Sequence, residues 1–298
     1  MSVTIETTAN PSVPAPRTSI GTAFGCPREF FGNRFVYTVI SARARGLSVG
    51  VNLTPDKQCN FNCGYCEVDF LVPGHDAKLD LDVMSAELEA TLAFVHAGKL
   101  REVSKYAPVP PDLLRLRHVA ISGDGEPTLC PQFRHAVETV VHVRATSRTG
   151  FFKTVLITNA SNLDTGEVQE GLRLLTRCDE VWAKLDAGTQ TYMERVNKTN
   201  LPIEKVLSNI LLVARQRPVI IQSLFPALNG VGPDDEEISH YVQRLQSLKD
   251  AGAEIPLVQI YSATRPTPNS VCGHLPLRRL SQIAQTVRSV TGLNAEVF

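Results

Sequence analysis

Three cysteines lie close together in the chain with the spacing C-x3-C-x2-C: Cys59, Cys63 and Cys66. Thiolates are ligands that soft metals prefer, and three at this spacing can hold one metal site. They can also ligate three irons of a [4Fe–4S] cluster, which normally takes four cysteines. Because no fourth cysteine is near, one iron would stay open to a ligand from outside the protein. That is the pattern of an open catalytic position rather than of a closed structural site.

Zinc is the alternative metal for this motif. A structural zinc site takes four ligands, usually with a second Cys or His pair of its own. His75 follows Cys66 at a short distance and could serve as the fourth ligand. The cysteines alone therefore leave open a non-catalytic iron–sulfur or zinc protein that acts in electron transfer or assembly.

A second candidate segment consists of Gly123, Asp124, Gly125 and Glu126, followed by a proline. Glycine lets a backbone approach a ligand without a Cβ clash. The Glu126 carboxylate can accept hydrogen bonds from a cationic amine. Alone, the segment could be an ordinary turn between a strand and a helix. Together with the cysteine motif, it favours a ligand site.

Six apolar or β-branched runs predict strands, and each is followed by a segment with the apolar spacing of a helix. This alternation predicts a parallel α/β fold in a single domain over residues 21–298. Phe35–Ile40 and Leu47–Leu53 predict an N-terminal strand or hairpin extension, and residues 1–20 predict a disordered tail. The six predicted strands are Ser48–Leu53, Arg117–Ser122, Lys153–Thr158, Glu180–Asp186, Pro218–Phe225 and Pro256–Tyr261.

The faces of the strands distinguish a barrel from an open sheet. Trp182, Lys184 and Asp186 share one face of the fourth strand, and Gln259 and Tyr261 share one face of the sixth. A doubly wound sheet with helices on both faces would favour near-continuous apolar strands. Polar groups on one face predict a barrel whose interior is used for a ligand. Six units are fewer than the eight of a full barrel, so we expect a partial (β/α)6 barrel.

The composition of the chain argues against some classes of function. The 298 residues carry 30 Lys and Arg against 30 Asp and Glu, and this neutral balance makes general nucleic-acid binding unlikely. No apolar run approaches the ~20 residues of a membrane span, and the N-terminus lacks the pattern of a secretory signal. We therefore expect a cytoplasmic protein. Two small basic pairs are expected on solvated faces: Arg43 with Arg45, and Arg278 with Arg279. The remaining cysteines are expected as reduced, buried thiols: Cys26, Cys130, Cys178 and Cys272.

The cysteine motif, with Tyr65 as the aromatic residue before the third cysteine, resembles the signature of the radical S-adenosylmethionine (SAM) superfamily. The resemblance covers about residues 46–265, which would form the barrel core. It is strongest to the iron–sulfur oxidoreductases related to wyosine-base-forming tRNA enzymes. The segments that carry it are Gly46–Leu53, Gly123–Leu129, Leu185–Ala187 and the pair Arg265–Pro266.

This resemblance implies a [4Fe–4S] cluster on Cys59, Cys63 and Cys66, with the amino and carboxylate groups of SAM on the open iron. Tyr65 matches a position whose backbone lies against the adenine. Residues 123–126 match a "GGE" segment that receives the SAM amino group, although Asp124 departs from the pattern. The reduced cluster would cleave SAM to a 5′-deoxyadenosyl radical, which abstracts hydrogen from a substrate.

Further ligands are expected at the carboxyl ends of the strands, where barrel sites are built. Asn159, Lys184, Asp186 and Gln222 are the candidates for contacts to SAM. Lys184 could bind a carboxylate, and Asp186 could bind a ribose hydroxyl or simply pair with Lys184. The resemblance also implies a flavodoxin- or ferredoxin-type reductant. The substrate stays open among a small molecule, a protein and a tRNA.

Overall fold

The structure is a computed structural model that describes residues 23–24, 30–74, 78–265 and 267–298. The predicted tail, Cys26 and His75 lie outside the described residues. In the described part of the chain, no helix combines the length and the apolar character needed to cross a bilayer.

Strands and helices alternate through the chain. The strands are β1 (Val36–Ser41), β2 (Gly46–Val51), β3 (Leu116–Ile121), β4 (Thr154–Thr158), β5 (Glu180–Lys184), β6 (Val219–Leu224), β7 (Pro226–Leu228), β8 (Val258–Tyr261), β9 (Cys272–His274) and β10 (Ala295–Val297). The helices are α1 (Leu81–His96), α2 (Phe133–Thr146), α3 (Gly166–Arg173), α4 (Gln190–Asn197), α5 (Ile203–Ala214), α6 (Asp235–Asp250) and α7 (Leu277–Thr291).

One curled sheet has the strand order β1-β2-β3-β4-β5-β6-β8-β10. The pair β1–β2 is antiparallel, and every other neighbouring pair in this sheet is parallel. The six predicted strands correspond to β2, β3, β4, β5, β6 and β8. The prediction of a partial barrel with an N-terminal hairpin is therefore confirmed. The sheet also contains β10, which the sequence analysis did not predict.

The two faces of the sheet have different roles, as the strand patterns predict. Val181 and Ala183 of β5 belong to the main apolar core, which lies between the sheet and its helices. Trp182, between them, belongs to a small inner apolar cluster with Val155 and Ile220. Alternation along a strand explains this division, because successive side chains point to opposite faces. The inner face therefore carries this apolar cluster at mid-strand, with His118 against Trp182, and Lys184 at the carboxyl end.

The turn of the β1–β2 hairpin contacts the opposite edge of the sheet. The Arg45 guanidinium pairs with Glu296 of β10 at 2.7 Å. The Arg43 guanidinium lies 4.3 Å from the ring centre of Tyr261, at the end of β8. Arg265 donates to the Ile40 carbonyl at 3.4 Å. These contacts bridge the two edges of the partial barrel.

Local signals position several helices. Asp80 accepts a hydrogen bond from the Val83 N–H at 3.1 Å and so caps α1. Gly252 and Gly292, at φ of 89° and 67°, end α6 and α7 in the left-handed conformation that glycine tolerates. The expectation of buried thiols holds in part, because Cys130 is buried, Cys272 is half-buried and Cys178 is exposed.

Candidate functional site

The cysteine loop leaves the carboxyl end of β2 and is held from two sides. The Asn62 and Gly64 N–H groups donate to the Asn197 and Val196 carbonyls at the end of α4, at 3.0 and 2.8 Å. From the other side, the Asn269 side chain donates to the Gly64 carbonyl at 2.7 Å. Other parts of the fold thus hold the loop from both sides.

The thiols of this loop are partly withdrawn from water. Burial raises the pKa of Cys59 to about 12 and that of Cys63 to about 11. Cys63 and Cys66 both influence Cys59 electrostatically, so the three groups are neighbours. Among the described side chains, no three His, Cys, Asp or Glu groups converge as ligands of one metal ion. Thiolates are the donors that an iron–sulfur cluster takes, each on a separate iron, so the three neighbouring thiols are of the type such a cluster needs.

The glycines of the second candidate segment permit close packing against the cysteine loop. A Cβ at Gly125 would lie 2.0 Å from the Gln58 carbonyl oxygen, next to Cys59. A Cβ at Gly123 would lie 2.0 Å from the side-chain oxygen of Asn52. Asn52 also donates to Asp124 at 2.8 Å. The close approach that requires glycine is therefore to the protein's own backbone and side chains.

Glu126 is buried and joins the segment to the end of β4. Its Oε1 accepts from the Thr128 N–H at 3.1 Å and from the Thr128 and Thr158 hydroxyls at 2.6 Å each. Its Oε2 accepts from the Asn159 N–H at 2.7 Å. Burial raises the pKa of Glu126, and these hydrogen bonds oppose that shift. Since each carboxylate oxygen has about two acceptor sites, Oε2 is the oxygen of Glu126 that keeps capacity for a further hydrogen bond.

Asn159 connects this region to the cysteine loop. Besides its backbone bond to Glu126, its side chain donates to the Asn60 side-chain oxygen at 2.8 Å. Asn60 in turn donates to the Ser161 hydroxyl at 2.8 Å. The predicted site residue Asn159 is therefore beside the cysteine loop, and its side-chain donors serve to hold that loop.

Lys184, Asp186 and Tyr65 form one buried network. The Tyr65 hydroxyl and the Asn197 amide both donate to Asp186 Oδ2, the latter at 2.8 Å. The Lys184 ammonium lies 3.4 Å from Asp186 Oδ1 and 4.8 Å from the centre of the Tyr65 ring. Burial alone would lower the pKa of Lys184, but the Asp186, Tyr261 and Cys63 groups outweigh it and raise the pKa. These neighbours therefore favour the protonated form of Lys184.

Asn197 is the residue through which this network reaches the cysteines. Its side-chain amide donates to the Cys63 sulfur at 3.4 Å and to the Tyr65 hydroxyl at 3.1 Å, besides its bond to Asp186. The sequence analysis did not identify Asn197. An asparagine at the end of a short helix carries no distinctive pattern, so no sequence signal pointed to it.

A cavity of about 240 Å³ opens inside the partial barrel, beside the third cysteine. Tyr65, Cys66, Lys184 and Gln222 are the predicted site residues that line it. Residues 123–126 and Asn159 do not line this cavity and lie instead around Cys59. Arg43, expected on a solvated face, is half-buried and lines the cavity, whereas Arg45 is exposed as expected. The prediction for Arg43 was wrong because the hairpin turn folds against the far edge of the sheet.

Comparison with known sequences finds relatives over part of the chain. No protein-family model matches the sequence. A UPF0026 protein of Helicobacter pylori (strain J99) is 32% identical over 178 residues, which cover 59% of this chain and 50% of that protein. The chain spans about half the length of the curated relatives it matches.

Solved structures match the fold over most of the chain. SuiB of Streptococcus suis, in its complex with S-adenosylmethionine, has a TM-score of 0.58 and 15% identity, and the match covers 86% of this chain and 52% of SuiB. TYW1 with a lysine-pyruvate adduct bound has a TM-score of 0.55 and 17% identity, covering 88% of this chain and 86% of TYW1. Both are radical SAM enzymes. The predicted resemblance is confirmed: this chain has the fold of the radical SAM enzymes, among them the wyosine enzyme TYW1.

Proposed function

We propose that this chain is a radical SAM enzyme. The observation that carries the proposal is a loop with three thiols at the carboxyl end of β2, inside a fold shared with SAM-dependent radical enzymes. Cys59, Cys63 and Cys66 would hold a [4Fe–4S] cluster. When bound, such a cluster supplies one electron that cleaves the C5′–S bond of SAM, and the resulting 5′-deoxyadenosyl radical removes a hydrogen atom from the substrate.

The chain's own residues would bind and orient SAM. Oε2 of Glu126 has acceptor capacity for the SAM amino group, beside Cys59. Lys184 would attract the carboxylate of SAM. Asp186, fixed by Asn197 and Tyr65, would position the Lys184 ammonium rather than bind a ribose hydroxyl, because each of its oxygens already has two partners. The buried position of this network keeps bulk water away from the reacting atoms.

The reducing partner belongs to the same proposal. A flavodoxin- or ferredoxin-type protein would supply the electron, in the cytoplasm, where thiols stay reduced. Each cysteine that the structure describes is a free thiol, which is consistent with that compartment. The substrate would be a small molecule, a protein or a tRNA that reaches the cavity beside Cys66.

Anaerobic reconstitution tests the proposal. The protein would be loaded with iron and sulfide, reduced with dithionite and incubated with SAM, and 5′-deoxyadenosine would be measured by chromatography. We expect product from the wild type and from Cys178→Ala, an exposed cysteine that serves as the matched control. The triple variant Cys59/Cys63/Cys66→Ala should bind no cluster and form no product. Stoichiometric zinc with no iron uptake would contradict the proposal.

A loaded protein that does not cleave SAM would require one more measurement. SAM binding to the cluster changes its electron paramagnetic resonance signal, so the reduced protein would be recorded with and without SAM. A changed signal supports the proposed site with turnover gated by the missing substrate. An unchanged signal favours a non-catalytic iron–sulfur protein.

A further inference from the structure

Arg43 brings a cation into the barrel cavity from outside the six βα units. The cavity is lined by Arg43, Lys184 and Arg265. Lys184 has Asp186 as its partner, and Arg265 lies 3.3 Å from Glu67. In the portion of the chain that the structure describes, no carboxylate lies within ion-pair distance of Arg43. Its guanidinium instead stacks over Tyr261 at 4.3 Å.

Arg43 places a second cation beside Lys184. Lys184 lies against the same Tyr261 ring, with its ammonium 5.7 Å from the ring centre. Arg43 opposes protonation of Lys184, so the two cations repel one another. Like charges at a half-buried site cost free energy unless an anion lies between or beside them. An anionic group on the Tyr261 side of Lys184 would remove this cost.

Gln222 supplies a second, independent sign of a ligand. Its side chain is fully buried and lines the same cavity. Its amide nitrogen donates to Gln259 at 2.8 Å, but its amide oxygen has no hydrogen-bond partner among the described residues. A buried acceptor without a partner costs about 1–3 kcal/mol. A hydroxyl or amine of a ligand in the cavity would satisfy it.

The carboxylate of SAM is the first anion to consider near Arg43. If SAM chelates one iron through both its amino and carboxylate groups, these two groups lie side by side. The acceptor proposed for the amino group, Glu126, follows β3. Tyr261 ends β8, and three strands separate β3 from β8 in the sheet. Lys184, proposed to attract the SAM carboxylate, ends β5, which lies between β3 and β8, and Arg43 stacks over Tyr261 on the β8 side of it. A substrate anion on that side would be separate from the SAM carboxylate, and titration of Arg43→Gln with SAM tests this separation.

We infer that Arg43, Tyr261 and Gln222 form a substrate subsite for a small polar molecule that carries an anionic group, a carboxylate or a phosphate, next to a hydroxyl or amine. The inference rests on the proposed function in assigning the neighbouring space to SAM. Arg43 would bind the anion, Tyr261 would support the guanidinium, and Gln222 would accept the hydrogen bond.

Binding of three matched probes tests the inference. Anaerobic titration calorimetry on the reconstituted protein would use glycerol 3-phosphate, glycerate and glycerol, which share hydroxyls and differ in the anion. We expect both anions, or one of them, to bind at least about tenfold more tightly than glycerol, and more weakly as salt rises. The better anion identifies phosphate or carboxylate as the preferred group.

Variants of the hairpin turn provide the control. Arg43→Gln should lower the affinity for the more tightly bound anion about tenfold or more, and Arg43→Lys should recover part of that affinity. Arg45→Gln is the matched control, because Arg45 lies in the same turn but pairs with Glu296 outside the cavity. Gln222→Leu should weaken binding several-fold, with its folding checked by thermal unfolding.

Three results would overturn the inference. Glycerol could bind as tightly as the anions, or Arg43→Gln and Arg45→Gln could lose the same anion affinity. In the third, Arg43→Gln would lose as much affinity for SAM as for the anion. The last would assign Arg43 to SAM. The probe titrations need no turnover. A protein that binds the anions through Arg43, but neither cleaves SAM nor changes its electron paramagnetic resonance signal when SAM is added, would therefore contradict the proposed function and keep the anion site.

Discussion

Two buried ion pairs lie at opposite ends of β5 and differ in how completely they are satisfied. Before the strand, Asp179 pairs with Arg144 at 2.5 Å and also accepts from the Thr154 N–H and from both donors of Thr176. At the other end, Lys184, the last residue of the strand, reaches Asp186 and Tyr261 only at 3.4 Å. The first pair is closed by the fold, whereas the second keeps donor capacity for a ligand.

The difference shows how one strand serves stability and function at different ends. Although burial alone would raise the pKa of Asp179, its hydrogen bonds outweigh burial and lower it. Each oxygen of Asp179 therefore has its full set of partners, and nothing in the cavity is within its reach. The Lys184 ammonium lines the cavity directly. Because its contacts with Asp186 and Tyr261 are long, the Lys184 ammonium can still donate a hydrogen bond to a ligand.

The largest effect is expected at the closed pair. Asp179→Ala would leave Arg144 as a buried cation without its carboxylate, so the free energy of unfolding should fall by about 3–5 kcal/mol. Denaturant unfolding measures this. The control is Asp164→Ala, which breaks an ion pair with Lys205 whose side chains are both 39% exposed and should cost less than about 1 kcal/mol. Equal losses in the two variants would contradict the comparison.

At the open pair, the effect should appear in binding. Lys184→Met removes the ammonium, while Asp186 keeps its bonds to the Leu224 N–H, Asn197 and Tyr65. Because a hydrogen bond to a charged group contributes about 1.5–3 kcal/mol, SAM affinity should fall about tenfold or more. Titration with SAM and denaturant unfolding would be run together. A variant that loses stability but keeps its SAM affinity would make Lys184 structural.

The sequence predicted the strands of the barrel because their signals are local. Alternation within β5 is visible from its own residues, and glycine after α6 and α7 marks where those helices end. Strand β10 and the antiparallel pair β7–β9 were not predicted, since each strand has only three residues and depends on a partner far along the chain. Helix α4, with eight residues, was also missed.

The site divides in the same way. Residue type and spacing identify the thiols and the glycine-rich segment in the sequence. No such signal identifies the asparagines that hold the cysteine loop, because an asparagine is common in any turn. These are Asn60, Asn197 and Asn269. The sequence predicts Arg43 at the surface, because its contact with Tyr261 arises only when the hairpin packs against the far edge of the sheet. Contacts between distant segments supply what the sequence pattern lacks.

Acid should destabilise the mid-strand interior of the barrel. His118 lies edge-on to Trp182 at 5.3 Å, and burial, with Lys153 and Arg43 nearby, lowers its pKa from 6.5 to about 3. Below pH 6.5, His118 takes up a proton in the unfolded chain but stays neutral in the folded protein. The free energy of unfolding therefore falls as pH falls toward 3. At pH 5 the loss should be about 2 kcal/mol.

His118→Phe keeps an aromatic ring but removes this titration. Its unfolding free energy should therefore depend less on pH between 7 and 5 than that of the wild type. His142→Gln, at an exposed position of α2, is the control and should keep the wild-type slope. An unchanged slope in His118→Phe would mean that His118 takes up a proton as readily in the folded protein as in the unfolded chain.

The smallest effect is expected from the bond between Asn197 and the Cys63 sulfur. A hydrogen bond to a cluster thiolate stabilises the reduced, more negative state, so its loss should lower the reduction potential. If the bond contributes about 1 kcal/mol, Asn197→Ala should lower the potential by about 40 mV in a redox titration followed by electron paramagnetic resonance. Asn209→Ala is the matched control, because Asn209 is equally buried but donates to the Ala160 and Ser161 carbonyls. A shift of the same size in both variants would assign the effect to general loosening of the fold, whereas a shift in Asn197→Ala alone would show that the network around Asp186 also tunes the cluster.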